Sequence, residues 1–158
     1  MDENTTEVGY TPGRFPQYLG VKIVDARPLT RDQFEALHGR NVGGDIHGDG
    51  YEVEYENGYK AWSPKEIFDA AYRPVSGLTF GLAIEALKLG KKVARAGWNG
   101  KGIFIELQTP DENSKMTSPY IFIDTTGLQS DNPHAPRSRV PWLASQTDML
   151  AEDWEIVA

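Results

Sequence analysis

Val21 and Ile23 alternate with Lys22 ahead of Pro28, and this period of two predicts a strand over residues 18–26 that the proline stops. Thr30, with Gln33 three residues on and then Phe34 and Leu37, has the pattern of a capping box and predicts a short helix ending near Gly39. The glycines between Gly43 and Gly50 mark a loop. Tyr51, Val53 and Tyr55 then alternate with Glu52, Glu54 and Glu56, and Asn57-Gly58 turns the chain into Tyr59-Lys60-Ala61-Trp62. That pattern predicts a hairpin with a type I′ turn, because Asn-Gly readily adopts positive φ at both central positions. Ser63 as cap, Pro64 at the first helical position and Glu66 at the third start a second helix, with Ile67, Phe68 and Ala71 facing a core until Pro74.

The run Arg73-Pro74-Val75-Ser76-Gly77 is the boundary between two units. After it, Thr79 caps a helix in which Phe80, Ala83, Ile84 and Leu87 recur at helical spacing, and Gly90 ends it in left-handed geometry. Val93 and Ala94 continue as a strand toward Trp98, Asn99-Gly100 makes a second hairpin turn, and Ile103 to Leu107 return. A polar loop over residues 109–118 leads to a third strand at Tyr120–Ile123. Residues 125–139 are too polar for a core and form an exposed excursion, where contacts with a ligand or partner would lie. A short helical or turn segment from Trp142 to Leu150 precedes a closing strand at Trp154–Val157. The chain thus reads as α+β: two small antiparallel-sheet units, each with one or two short helices. A flexible arm occupies residues 1–16, a first module residues 17–75 and a second domain residues 77–158.

Composition narrows the function. The 158 residues include no cysteine, which excludes thiolate chemistry and cysteine zinc sites. A mean hydropathy of -0.49 and an acidic, polar N-terminus fit a cytoplasmic protein, and no apolar run approaches a membrane span. The net charge of -7 argues against general affinity for DNA or RNA, so any anionic ligand is small and locally recognised.

The candidate chemistry is that of binding. Asp45, His47, Asp49, Gly50 and Glu56 fall at the offsets of an EF-hand calcium loop, but His47 stands where Asp or Asn belongs and a strand follows. A solvated glycine-rich loop is the better reading, and no metal or cofactor is expected. His38, His47 and His134 lie in or beside loops without zinc spacing or a serine partner. Glu152 and Asp153 are adjacent and point apart in an extended segment, which favours capping or solvation over acid/base work. Lys91, Lys92, Arg95 and Lys101 could surround a phosphate or simply form a solvated face. Trp98, Trp142 and Trp154 could all be core; Trp154, followed by alternating Ile156, is assigned there. Trp98 and Trp142 keep polar company in Asn99, Ser145, Gln146, Thr147 and Asp148, residue types that hold base edges and ribose hydroxyls beside a stacking surface.

Three blocks carry a family resemblance: Leu78-Thr79-Phe80-Gly81-Leu82-Ala83-Ile84-Glu85-Ala86-Leu87, Gly90-Lys91-Lys92-Val93-Ala94-Arg95-Ala96-Gly97-Trp98-Asn99-Gly100-Lys101-Gly102, and Val140 through Val157. Over residues 78–157 the chain resembles the Thoeris anti-defense 2 family of phage proteins, departing from its shorter members between Leu107 and Pro141. The resemblance implies a non-enzymatic sponge, a homo-oligomer and typically a homotetramer. Such a sponge sequesters the cyclic ADP-ribose-type signal (gcADPR) of TIR-based bacterial immunity in the infected host; some members also hold cyclic dinucleotides. It implies that Phe80, Trp98 and Trp142 stack on the base or wall the pocket. Arg95, Asn99 and Lys101 would meet the pyrophosphate, and Ser145, Gln146 and Asp148 the ribose or base. The first half looks like a small module that recurs in phage proteins. Two other readings stand beside this one: a metal-dependent nucleotide hydrolase using Asp148 or Glu152, and a phage structural or adaptor protein whose tryptophans are interface core.

Overall fold

The computed structural model describes residues 19–158, so the arm over residues 1–16 and the start of the first expected strand lie outside it. Two antiparallel sheets and four short helices make up the fold, as an α+β chain requires. The first sheet has the order β1-β2-β3, from Asp25–Pro28, Gly50–Glu54 and Lys60–Pro64, with α1 (Arg31–His38) and α2 (Lys65–Ala71) against it. The second has the order β7-β6-β5-β4-β8. Its strands are β4 (Lys92–Arg95), β5 (Phe104–Gln108), β6 (Tyr120–Asp124), β7 (Arg139–Pro141) and β8 (Trp154–Val157), and it carries α3 (Phe80–Lys88) and α4 (Gln146–Met149).

In the first sheet the capping box forms as the sequence predicts. The Thr30 side chain accepts from the Gln33 backbone N–H, the Gln33 side chain accepts from the Thr30 N–H, and Gly39 ends α1 at φ 62°. Three other expectations are corrected. β1 starts only at Asp25 and includes Pro28; it is an edge strand, where a missing N–H costs no ladder bond. The hairpin does not use a type I′ turn, since no non-glycine residue among those described has positive φ. Instead Gly58 N–H donates to Tyr55 O (2.7 Å) and Tyr55 N–H to Tyr59 O (2.9 Å), with Gly58 alone at φ 77°. This is a type I turn closed by a glycine bulge, and the Asn57 side chain fixes it by accepting from Tyr59 N–H at 3.0 Å. Finally, Ser63 remains in β3 opposite Tyr51, so the strand runs directly into α2 with Pro64 at the N-cap and no side-chain cap. Phe68 stacks on Tyr51 with ring centroids 4.2 Å apart, whereas Ile67 points to solvent.

Arg31 organises the glycine-rich loop. Its guanidinium is buried, donates to Gly44 O and Ile46 O, and pairs with Glu35. Glu52, in β2, is buried between Arg27 and His38, whose Nε2 lies 2.6 Å from Glu52 Oε1. Burial works against the Glu52 carboxylate, but hydrogen bonds from Arg27 and His38 outweigh it and lower its pKa.

The second sheet is apolar where the first is polar. Strand register aligns Ile156, Val93, Ile105, Ile123 and Val140 in one row across all five strands. α3 covers the β8, β4 and β5 part of that row with Ala83, Ala86 and Leu87, all buried, while Val140 on β7 stays exposed. Burying a side chain such as Leu87 or Ile105 contributes roughly 1.5–3 kcal/mol. Thr79 caps α3 and Gly90 follows it at φ 74°, both as expected. The second turn differs from its expectation: the positive φ falls on Gly102, not Asn99-Gly100. A Cβ at Gly102 would sit 2.2 Å from Gly127 O, because the excursion over residues 125–139 folds back here and Gln129 N–H donates to Lys101 O. That excursion is tied at its base as well, by Thr125 N–H to Ser138 O and by the Arg139–Asp124 ion pair.

The chain between the sheets is itself paired. Pro74 to Gly77 form a turn, Val75 O accepts from Ile156 N–H (2.9 Å), and Leu78 exchanges both backbone hydrogen bonds with Trp154. The connector therefore lies along the outer edge of β8.

Candidate ligand site around the tryptophans

Trp154 begins β8 and is fully buried, as its place beside Ile156 suggested. Three aromatic side chains surround it: Phe80 from the first turn of α3, Trp98 from the β4–β5 connection, and Trp142 just after β7. Their ring centroids lie 5.6, 5.4 and 6.0 Å from that of Trp154, and Trp98 and Trp142 meet edge to face at 6.2 Å. Phe80, Trp98 and Trp142 are each only partly buried. The cluster thus has a sealed centre and an accessible rim.

Ion pairs lock that rim. Arg95, at the end of β4 and opposite Trp154 in register, donates through Nε to Asp153 Oδ1 (2.8 Å) and through Nη1 to Asp148 Oδ1 (3.0 Å). Asp148 Oδ1 also accepts from Trp98 Nε1 (3.3 Å), while its Oδ2 accepts from the backbone and hydroxyl of Ser145. Burial opposes the Asp148 carboxylate, yet the bonds from Ser145, Arg95 and Trp98 prevail and hold its pKa at about 2. Arg95 is raised, first by its bond to Asp153. Asp153 Oδ2 accepts from Gly97 N–H (2.8 Å), and a Cβ at Gly97 would lie 2.7 Å from that oxygen, so the close approach requires glycine.

The structure brings six of the nine sequence-predicted residues into contact: Phe80, Trp98 and Trp142 as rings, and Arg95, Ser145 and Asp148 as the network that holds them. Asn99, Lys101 and Gln146 are exposed around them. The basic residues do not converge. β4 separates Lys92 from Arg95 by three positions, about 10 Å, and Lys92 packs over Phe104 instead. Asp153 is the partner that sequence reading left aside. Its signal was the Arg95–Trp154 strand pairing, which no local pattern reveals. The calcium-like spacing gains nothing here, since among the described residues no group of His, Asp and Glu could hold a metal ion.

Residues 78–157 match the Tad2-like family profile, the Thoeris anti-defense 2-like domain. The chain belongs to that family. A relative of the same kind, Thoeris anti-defense 2 of Bacillus phage SP01, is 40% identical over 95 residues. The alignment spans 51% of this chain and 96% of the phage protein. The Tad2-like domain therefore coincides with the five-stranded sheet and its helices, and the three-stranded unit precedes it. The ring cluster and its Arg95 network fall wholly inside the matched region.

Proposed function

We propose that this protein opposes Thoeris immunity by binding a cyclic ADP-ribose-type signal and sequestering it without cleavage in the cytoplasm of an infected bacterium. The observation that carries this reading is the accessible rim of Phe80, Trp98 and Trp142 around a sealed Trp154, inside the family-matched region. Stacking of a base on such a ring contributes roughly 1–3 kcal/mol. Because two carboxylates already neutralise Arg95, it acts as a positioning residue, and Ser145 and Asp148 do the same by fixing the Trp98 indole. Contact with pyrophosphate and ribose falls to the exposed Lys101, Asn99 and Gln146.

The electrostatics bear on one alternative role of Asp148. A carboxylate with a pKa of about 2 is a poor proton acceptor near neutrality, so Asp148 does not suit a general base. In this reading a second copy in a homo-oligomer completes the wall of the rim. Leu143, next in the chain to Trp142, is 91% exposed, and Leu150, at the end of α4, 79%, with Val140 and Met149 also exposed, apolar side chains suited to burial between copies in a homotetramer. Cyclic dinucleotides are a further ligand class for such an assembly.

The test is isothermal titration with cyclic ADP-ribose isomers followed by heat release of the ligand and mass spectrometry. Intact ligand is the expected result; cleaved product would make the protein an enzyme. The packing of Trp98 and Trp142 against Trp154 also favours a second reading, an adaptor whose rings serve only an interface. In that case Trp98→Ala would dissociate the oligomer instead of abolishing ligand binding.

A further inference from the structure

A second cleft is lined by residues outside the tryptophan cluster. The β1–β2 ladder ends at the pair Asp25–Glu54, and beyond it residues 21–24 diverge from the hairpin turn. Between them opens a cleft of about 600 Å³, walled by Lys22, Ile23, Tyr55, Glu56 and Tyr59 and closed at one side by Leu89, just past α3. An adjoining lobe of about 370 Å³ shares Ile23, Tyr55, Glu56 and Leu89 and reaches Asp25 and Lys91. Small-molecule sites span roughly 300–1,000 Å³. Both halves of the chain contribute walls, the first through residues 21–25 and 54–59 and the second through Leu89 and Lys91.

The chemistry of the walls is specific. Tyr55 and Tyr59 stack at an interplanar angle of 27° with centroids 6.0 Å apart, too close to admit a ring between them, and the flexible Arg40 side chain lies over Tyr59 at 5.6 Å, where a base would displace it. Lys22 Nζ stands 5.4 Å from the Tyr55 centroid, and Lys91 lies at the far end of the second lobe. Among the described residues Lys22, Lys91, Asp25 and Glu56 enter no ion pair. Two free ammonium groups balanced by two free carboxylates suit one anionic group together with hydroxyl donors, and disfavour a polyphosphate. A carboxylate accepts both hydroxyls of a vicinal diol, as acidic residues do for ribose.

We propose that this cleft binds a nucleoside monophosphate. Its base lies against Tyr55 or Tyr59, its ribose diol on Glu56, and its phosphate on Lys22 or Lys91. The site is separate from the tryptophan rim and stands whether or not that rim holds a signal.

Titration of the full chain with the four ribonucleoside monophosphates and their 2′-deoxy forms tests this. At least one ribonucleotide is expected to bind saturably, about tenfold more tightly than its deoxy form. Glu56→Gln should erase that preference, and Tyr59→Ala or Tyr55→Leu should weaken binding about tenfold or more. Trp98→Ala should leave it unchanged, which separates failure here from failure at the rim. Tyr59 is 56% exposed, so its removal leaves the fold intact, as thermal unfolding will verify. Absence of binding by all eight nucleotides at about 1 mM, a weak regime even for small ligands, would overturn the proposal, as would affinities unaltered in Glu56→Gln and both tyrosine variants.

Discussion

The two sheets of this chain solve the problem of a small core in opposite ways. The three-stranded unit buries charge: Arg31 is 3% and Glu52 4% exposed, each satisfied by several partners. The five-stranded unit buries an apolar row under α3, and its buried charge is the single Asp124, paired with Arg139 away from that row, while the Arg95 network sits at the rim. Polar networks fix geometry but fail steeply when one member is lost, whereas apolar packing tolerates change in proportion to the volume removed. The tryptophan rim thus rests on the unit whose stability is spread over many apolar contacts, with the Arg95 network aiming the rings.

Trp154→Ala should break the comparison most severely. Removing a fully buried indole costs about 3–5 kcal/mol, so the five-stranded unit should unfold at lower denaturant, as chemical denaturation followed by near-ultraviolet circular dichroism will record. Arg31→Ala is the matching blow to the first unit. It leaves Gly44 O and Ile46 O unpaired at a cost on the order of 2–3 kcal/mol, and hydrogen exchange should rise over residues 39–49 while β4 and β5 stay protected.

Acid sharpens the contrast at the rim. The folded pKa of Asp148 is depressed to about 2 from an ordinary 3.8, so its contribution is fully present above the unfolded value and lost as pH falls through the folded one. Stability on the order of 2 kcal/mol should therefore disappear between about pH 4 and pH 2, and Asp148→Asn should flatten that dependence in thermal melts. Gly102→Ala should cost more than about 1 kcal/mol, because a Cβ there combines a φ of +80° with a 2.2 Å approach to the Gly127 backbone O. A calorimetric melt will size it.

Local signals carried much of this fold. Thr30 and Gln33 announced α1, Gly90 the end of α3, and Ile156 the burial of its neighbour Trp154. What local reading could not supply was pairing across distance. Asn57-Gly58 promises a type I′ turn until the strand ends impose a bulge, and Ser63 promises a cap until β2 holds it in a strand. The candidate site divides in the same way. Its rings and their polar neighbours are legible as residue types, but the division between Arg95 and Asp148 as supports and Lys101 as an exposed cation exists only in three dimensions.

One titration bears most directly on the central claim. Cyclic ADP-ribose-type signal titrated into the native chain and into Trp98→Ala, with oligomer mass measured alongside, should show tight binding to the first and a loss of about tenfold or more in the second at unchanged assembly. Equal affinity for both chains, or no binding to the native one, would contradict the account.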